Sequence, residues 1–392
     1  MKVIIHRGTH QIGGVATEIR TASTRIVIDM GDELSLDSSY QAQPLHITGV
    51  TDGNDICDAV FFTHNHGDHI GQLHNIRNDI PLYIGSLAKE VLLATIRDAE
   101  QETVDRIESA YTFVPGEKLL IGDVCITPFS IDHSACDSYM FLVEADGKRI
   151  LHTGDFRLHG FRGKAIPKIL EKLIGKVDAL IVEGTSLSRP NFAPMSEAEL
   201  QEKARDYMDK YKYVFVYCAS TNLERICALS KAVPRGKYFV CDEHQYRLLD
   251  LMEDNWGHYS PLYRNIKKTR YGSNLLPKLR EKGFLMMVRD NWRFRQIIPQ
   301  FDSTQSIMLY SMWEGYRTNP GSTIPEFLSL AGTWETLHTS GHASSDAIKL
   351  IVDKTDPSCI IPMHTEKPEI MRDLFPKRNI ILPTDGQEVE IE

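Results

Sequence analysis

Six consecutive residues, His64-Asn65-His66-Gly67-Asp68-His69, set three imidazoles and a carboxylate directly behind the apolar run Val60-Phe61-Phe62. His64 and His66 alternate by two, so on an extended segment both rings leave the same face. Gly67 is expected to let the backbone turn and bring Asp68 and His69 to the same point. The apolar run reads as a buried strand, which places the cluster at a strand's C-terminal end, where loops build sites. Imidazole with carboxylate suits zinc, and manganese or iron is also compatible. A lone histidine among the 15 in this chain would more often be a surface or core residue. Packing does not account for four such groups in one short segment behind a strand.

At 392 residues the chain has room for two domains or one large two-layered core. Its composition, 42% hydrophobic and 25% charged, is that of an ordinary globular protein. No apolar run approaches the roughly 20 residues that span a bilayer. Met1–Ile5 is followed at once by polar His6 and Arg7, unlike a signal peptide, so a cytoplasmic location without a membrane partner is expected. The seven cysteines, at 57, 125, 136, 218, 227, 241 and 359, contain no Cys-x-x-Cys pair and read as free, mostly buried thiols. The net charge of −9 argues against a protein that coats nucleic acid nonspecifically, and leaves a local basic channel to be sought.

Short β-branched runs (3–6, 17–21, 24–30, 59–63, 124–129, 139–144, 149–153) joined by Gly- or Asp-containing links predict a largely antiparallel sheet system in the first region. Helices are expected from Asp68 to Asn75 and from Ser86 to Ala99, the latter with Leu87, Val91, Leu92, Thr95 and Ile96 at helical spacing. From about 190 to 335 the rhythm changes. Ser196 and Glu199 form a capping box ahead of a helix, followed by strand 213–217, helix 222–232, strand 237–241 and helix 243–253. That alternation predicts a separate α/β unit with a parallel sheet, inserted into the first domain, whose style resumes with helix 345–354 and strand 359–362. The expected division is 1–189, 190–335 and 336–392.

Asp29 in Ile26-Val27-Ile28-Asp29, then His64-x-His66-x-Asp68-His69, His133, and Asp155 in His152-Thr153-Gly154-Asp155-Phe156 resemble the four successive motifs of the metallo-β-lactamase fold. Glu183 (Leu180-Ile181-Val182-Glu183-Gly184-Thr185), His342 (His338 to Ser344) and His364 (Pro362-Met363-His364-Thr365-Glu366) are similar to motifs A, B and C of its β-CASP subgroup, whose members process nucleic acids. The stretch His133-Ser134-Ala135-Cys136-Asp137-Ser138-Tyr139 is most like the ribonuclease J group. The resemblance implies an α/β chain, an αββα sandwich carrying an inserted α/β β-CASP domain between motifs A and B. The ribonuclease J pattern continues into a further C-terminal domain, whereas this sequence stops at Glu392 and carries Glu-Gly-Thr-Ser at motif A.

Carried over by position, the resemblance implies two divalent metals, zinc first and manganese as the alternative. His64, His66 and His133 would hold one, and Asp68, His69 and His364 the other, with Asp155 between them. Asp29 would fix a histidine ligand's tautomer. Asp68 is also the group expected to orient the nucleophile or accept its proton, and Glu183 would hold His342 protonated beside the leaving oxygen. Ser340, Gly341 and Ser344, with Thr339, offer a cradle for a phosphate oxygen. The Gly-rich loop His10 to Gly14 lacks nucleotide-loop spacing and is expected to pack beneath the site.

Basic residues gather at Arg157, Arg162, Lys164 and Lys168, at Arg264, Lys267, Lys268 and Arg270, and at Arg289, Arg293 and Arg295 with Trp292 and Phe294 between them. Cations beside aromatic faces suit single-stranded nucleic acid, and solvated surface is the plainer reading of the same pattern. The expected function is cleavage of single-stranded RNA. The alternatives are hydrolysis of a small ester, lactone or cyclic phosphodiester, and a noncatalytic RNA-binding subunit, which would usually lack some of these ligands. Direction of attack, metal identity and oligomeric state stay open, a homodimer among the options.

Overall fold

The computed structural model describes residues 1–34, 43–96, 101–189 and 192–392. The described residues form three sheets. The first has seven strands in the order Glu388–Glu390, Lys2–Arg7, Ala16–Arg20, Arg25–Ile28, Ala59–Phe61, Leu82–Gly85, Tyr111–Phe113. The second has six, in the order Cys359–Met363, Ala179–Glu183, Lys148–His152, Ser138–Ala145, Val124–Ile131, Leu119–Ile121.

These two sheets face each other across one apolar layer, with Ile5, Ile19, Ile26, Ile28 and Phe61 meeting Ile126, Phe141, Val143, Ile150 and Ile181. Because side chains alternate along a strand, Val27, Val60 and Phe62 point the other way, onto Ile70, Leu73 and Ala88. Leu142, Leu151, Leu180 and Val182 likewise pack on Ile348, Ile351 and Val352 of the helix Ser345–Thr355. The result is an αββα sandwich, its strands buried on both faces and therefore read in the sequence as nearly continuous apolar runs.

The third sheet runs Thr269–Arg270, Tyr238–Cys241, Phe284–Val288, Tyr213–Tyr217, Ser306–Tyr310, Trp334–Thr336, and every pairing in it is parallel. Helices Glu197–Lys210, Leu223–Ala232 and Glu243–Trp256 cover one face through Leu200, Ile226, Leu229 and Leu248. Phe294, Phe327 and Leu328 cover the other. The capping box at Ser196 and Glu199 forms as expected, with the hydroxyl taking the Glu199 N–H at 3.1 Å.

The expectation of a largely antiparallel first region needs correcting. From Arg25–Ile28 to Tyr111–Phe113, four consecutive strands pair in parallel, as do Lys148–His152, Ala179–Glu183 and Cys359–Met363. Parallel neighbours need crossovers, and the crossover that includes Gly67–Ile70 is the one that carries the His/Asp cluster. The helix expected over 86–99 is observed as Ser86–Thr95, and its last residues, 97–99, lie outside the described residues. The helix expected over 68–75 is a single α-turn, Gly67–Ile70, continued by a 3₁₀ turn, Gly71–Asn75. All seven thiols are free, six of them buried. No helix among the described residues is long and apolar enough to cross a membrane.

Candidate metal centre

Most motif residues sit at or just after the C-terminal end of a strand, while Asp68 and His69 lie in the turn Gly67–Ile70 and His342 in the loop after Trp334–Thr336. Asp29 follows Arg25–Ile28, His64 and His66 follow Ala59–Phe61, His133 follows Val124–Ile131, Asp155 follows Lys148–His152, Glu183 ends Ala179–Glu183 and His364 follows Cys359–Met363. Asp29 and His364 hold left-handed backbone, φ 64° and 51°, a conformation that concentrates at functional sites. Hydrogen bonds across strands keep them there: Asp29 N–H to Phe61 O at 2.8 Å, and His364 N–H to Gly8 O at 2.7 Å.

Two donor groups result. His64, His66 and His133 converge, His66 Nδ1 lying 3.1 Å from His64 Nε2 and 3.2 Å from His133 Nε2. Asp68, His69, Asp155 and His364 converge beside them, with His69 Nε2 3.1 Å from Asp155 Oδ2 and His364 Nε2 3.2 Å from Asp68 Oδ2. The residues present fit a pair of divalent cations. His66 Nδ1 faces two ring nitrogens at once, a three-imidazole contact that a shared cation would satisfy more fully than one divided hydrogen bond. Asp155 Oδ1 is buried with no hydrogen-bond partner among the described residues, an acceptor that a cation would satisfy. The chemistry of the set, imidazole and carboxylate without thiolate, suits zinc and manganese.

The far side of four of the rings is held. His69 Nδ1 lies 2.8 Å from Asp29 Oδ2, whose other oxygen takes the Thr63 N–H at 2.8 Å. His64 Nδ1 meets Thr63 Oγ1 at 3.0 Å, His133 Nδ1 meets Gly341 O at 2.7 Å and His364 Nδ1 meets Thr185 Oγ1 at 2.7 Å. Such partners fix which ring nitrogen faces the cation. Asp29 stands where the sequence placed it. Thr63, Thr185 and the Gly341 carbonyl went unassigned; the only sequence signal for the two threonines is their place inside the motif runs.

Burial pushes His64 and His133 well below the ordinary imidazole pKa, toward the neutral form that binds metal. Burial also acts against charge on His69, but Asp155 and Asp29 outweigh it and raise its pKa. Burial would raise Asp68, yet the hydrogen bond from His364 and the nearby His69 lower it, so Asp68 is an ionised anchor and a weak base. His342 faces the same carboxylates, its Nδ1 3.3 Å from Glu183 Oε2 and 3.5 Å from Asp155 Oδ2. Burial disfavours its charged form, but Glu183 and Asp155 push its pKa up to about 9. Glu183 Oε1 is fixed by the N–H groups of Phe156 at 3.0 Å and Ala343 at 3.1 Å.

The neighbouring residues divide. Ser340 Oγ accepts the His342 N–H at 3.1 Å, and Ser344 caps the helix Ser345–Thr355 by accepting from Ala347 at 3.3 Å. A Cβ on Gly341 would lie 2.3 Å from Ser134 Oγ, so close approach is what this glycine provides. Gly67, expected to permit a turn, has no left-handed φ, and a Cβ there would meet nothing within 4 Å. The residue that needs the space is Gly31, where a Cβ would fall 1.7 Å from Asp68 O. The loop His10 to Gly14 does pack beneath the site, a Gly13 Cβ lying 3.2 Å from Asp68 Cβ. Asp137, within the stretch most like ribonuclease J, anchors the helix Ser86–Thr95 by accepting the Ala88 N–H at 2.9 Å.

The expected basic track is largely internal or paired. Arg157 is 0% exposed and bound to Asp132 and Glu197. Arg162 pairs with Glu224, Lys268 with Asp250 and Glu253, Arg289 with Asp242, and Arg295 with Asp290 and Glu326. In that segment Trp292, 73% exposed, and Arg293 face solvent while Phe294 is core, and Lys164, Lys168, Arg264 and Lys267 are exposed as well.

The sandwich and its shared donor set are those of the metallo-β-lactamase fold, and a beta-lactamase superfamily domain model matches residues 24–209. Several of the curated relatives that the chain resembles are ribonucleases J, at modest identity. The chain is 23% identical to ribonuclease J of Helicobacter pylori strain J99 over 98% of this chain and 59% of that one. To ribonuclease J of Synechocystis it is 20% identical, over all of this chain and 66% of the relative. Over 47% of its length it is 26% identical to a probable RNase of Methanocaldococcus jannaschii, covering 45% of that protein. The chain thus spans about six tenths of the length of the Helicobacter relative. A crystal structure of a protein of unknown function from Enterococcus faecalis V583 shares the fold, with TM-score 0.79, 19% identity and 99% coverage of both chains.

Proposed function

We propose that this chain is a two-metal phosphodiesterase that cleaves single-stranded RNA. The observation that carries the reading is the pair of donor groups side by side, His64, His66 and His133 next to Asp68, His69, Asp155 and His364, with His342 at their edge facing Glu183 and Asp155. Two bound cations, zinc or manganese, would supply a nucleophile at neutral pH and neutralise charge growing on phosphoryl oxygens.

The chain's own groups do the rest. Asp68 and Asp155 hold negative charge at the centre, and Asp68, with its lowered pKa, orients the attacking water more than it takes its proton. His342, held by Glu183, gives its proton to the leaving oxygen of the broken P–O bond. Ser340 and Gly341 are occupied in shaping the loop that carries His342, so their part in substrate binding is to set that loop's backbone. Residues 190–335 are read as an inserted unit between 1–189 and 336–392; its first two residues, 190 and 191, lie outside the described residues. The names of the relatives, ribonuclease J and probable RNase, favour RNA as the substrate.

A second reading, hydrolysis of a small ester or cyclic phosphodiester, is favoured by one observation: most arginines expected to track a phosphate chain already have carboxylate partners. End-labelled single-stranded RNA, matched DNA and a generic ester, offered to zinc- or manganese-loaded protein with Asp68→Asn as background, separate the two. Loss of RNA that depends on Asp68 supports the nuclease, and its product ladder reads exo or endo action. Turnover of the ester alone would overturn it.

A further inference from the structure

Behind the loop that carries His342 lies a buried ionic network that the cleavage chemistry does not use. Arg157 Nε donates to Asp132 Oδ1 at 2.9 Å and its Nη1 to Glu197 Oε1 at 2.6 Å. Arg225, on the helix Leu223–Ala232, forks onto the same carboxylate, with Nε 3.1 Å from both oxygens and Nη2 2.6 Å from Oε1. Arg157 and Glu197 are 0% exposed and Arg225 1%. Removing such ions from water costs several kcal/mol each, so stability alone is a poor reason for a cluster like this.

Its remaining donors point at one place. Arg225 Nη2 donates to Thr339 O at 2.7 Å, and Nη1 lies 3.2 Å from His338 Nδ1 and donates to Ser311 O at 3.3 Å. His159 Nε2 meets Ser340 O at 2.8 Å, and Thr339 Oγ1 donates to Met195 O at 2.6 Å. The next residues are Gly341, whose carbonyl holds His133 Nδ1, and His342, which faces Glu183. The backbone of 338–342 is therefore gripped on one side by Arg225 and delivers two site contacts on the other.

We propose that Arg225 is a positioning residue for the metal centre: by joining Glu197 to the Thr339 carbonyl it sets the path of residues 339–342, and so the ring of His133 and the place of His342. A planar fork is needed, because a lysine ammonium at the same site cannot reach the carboxylate and the carbonyl in that geometry. The inference rests on the reading of His133 as a metal ligand.

The test is zinc affinity of the full chain, measured by competition with a chromophoric chelator, beside thermal melting and RNA turnover. Arg225→Lys is expected to weaken zinc binding about 10- to 100-fold, as loss of support behind a ligand does. Turnover should fall in kcat, with KM changed less than about threefold. Tyr263→Phe is the control, since Tyr263 donates to Glu224 in the same network and touches nothing in 338–342. It should keep wild-type zinc affinity. If Arg225→Lys does not fold, Glu197→Asp keeps every charge, draws the carboxylate back by one methylene and should weaken zinc in the same direction. Wild-type zinc affinity and kcat in Arg225→Lys, or equal losses in Tyr263→Phe, would overturn the proposal. A wild-type chain that takes up no zinc would instead remove the metal-centre reading beneath it.

Discussion

Each histidine of the site is defined by what stands behind it as much as by what it faces. His342 has two carboxylates against one nitrogen and is held protonated, whereas the buried His64 and His133 are held neutral. His342→Ala is therefore expected to lower kcat for RNA cleavage by about 10²- to 10⁴-fold, the usual worth of a general acid. Its metal content should match wild type; elemental analysis showing an emptied site would assign His342 to coordination instead. Thr185→Val removes the hydroxyl behind His364 while keeping its shape, and zinc affinity should drop about tenfold or more. Unchanged affinity in a chelator competition would show that the threonine is only packing. His64 to His69 were legible in the sequence because they are contiguous and sit behind an apolar strand, whereas His133, Asp155 and His364 were reached only through the family resemblance. The supports were not, because a bond such as His133 to Gly341 joins residues 208 positions apart, and only the fold decides it.

Among the elements, the loop 338–344 is held from several sides, by Arg225, His159 and Glu183. Gly341→Ala would drive a methyl into Ser134 Oγ and toward His133 Cε1, at 2.3 and 3.2 Å. The loop must then shift, so turnover should fall steeply while the melting temperature moves by only a few degrees; a variant with wild-type kcat would show that the loop tolerates displacement. Local chemistry made some elements readable. Ser196 and Glu199 announce a helix start because both halves of that cap lie within four residues. The strands Phe284–Val288 and Ser306–Tyr310 escaped notice, since strands buried on both faces lack the alternation that marks a half-exposed one. Parallel pairing in the first region was hidden, because the short links there gave no strand–helix alternation of the kind that marked the parallel sheet of the inserted unit.

For the whole molecule, the buried network of Arg157, Arg225 and Glu197 couples stability to acid. Burial would raise the Glu197 pKa, but Arg225 and Arg157 hold it down at about 2, below the ordinary 4.5. A depressed carboxyl stabilises the fold fully above its ordinary value and loses that contribution as pH falls toward 2. Melting temperature should accordingly decline between about pH 4.5 and 2, and Glu197→Gln should flatten that limb. An identical acid limb in the variant would place the acid sensitivity elsewhere. Chelation should abolish turnover and lower the melting temperature, because a cation that binds only the folded state stabilises it by mass action. Far-UV circular dichroism should stay unchanged, as the apolar layers on either side of the two central sheets do not depend on the metal donors.

The donors are strung from residue 64 to residue 364, and the last of them hangs on the strand Cys359–Met363 that docks beside Ala179–Glu183. During synthesis, then, a ribosome-bound chain can finish its first sheet's early strands and still own no complete centre. Nothing that needs all of these donors together can begin until residue 364 has left the ribosome and that strand has closed the second sheet.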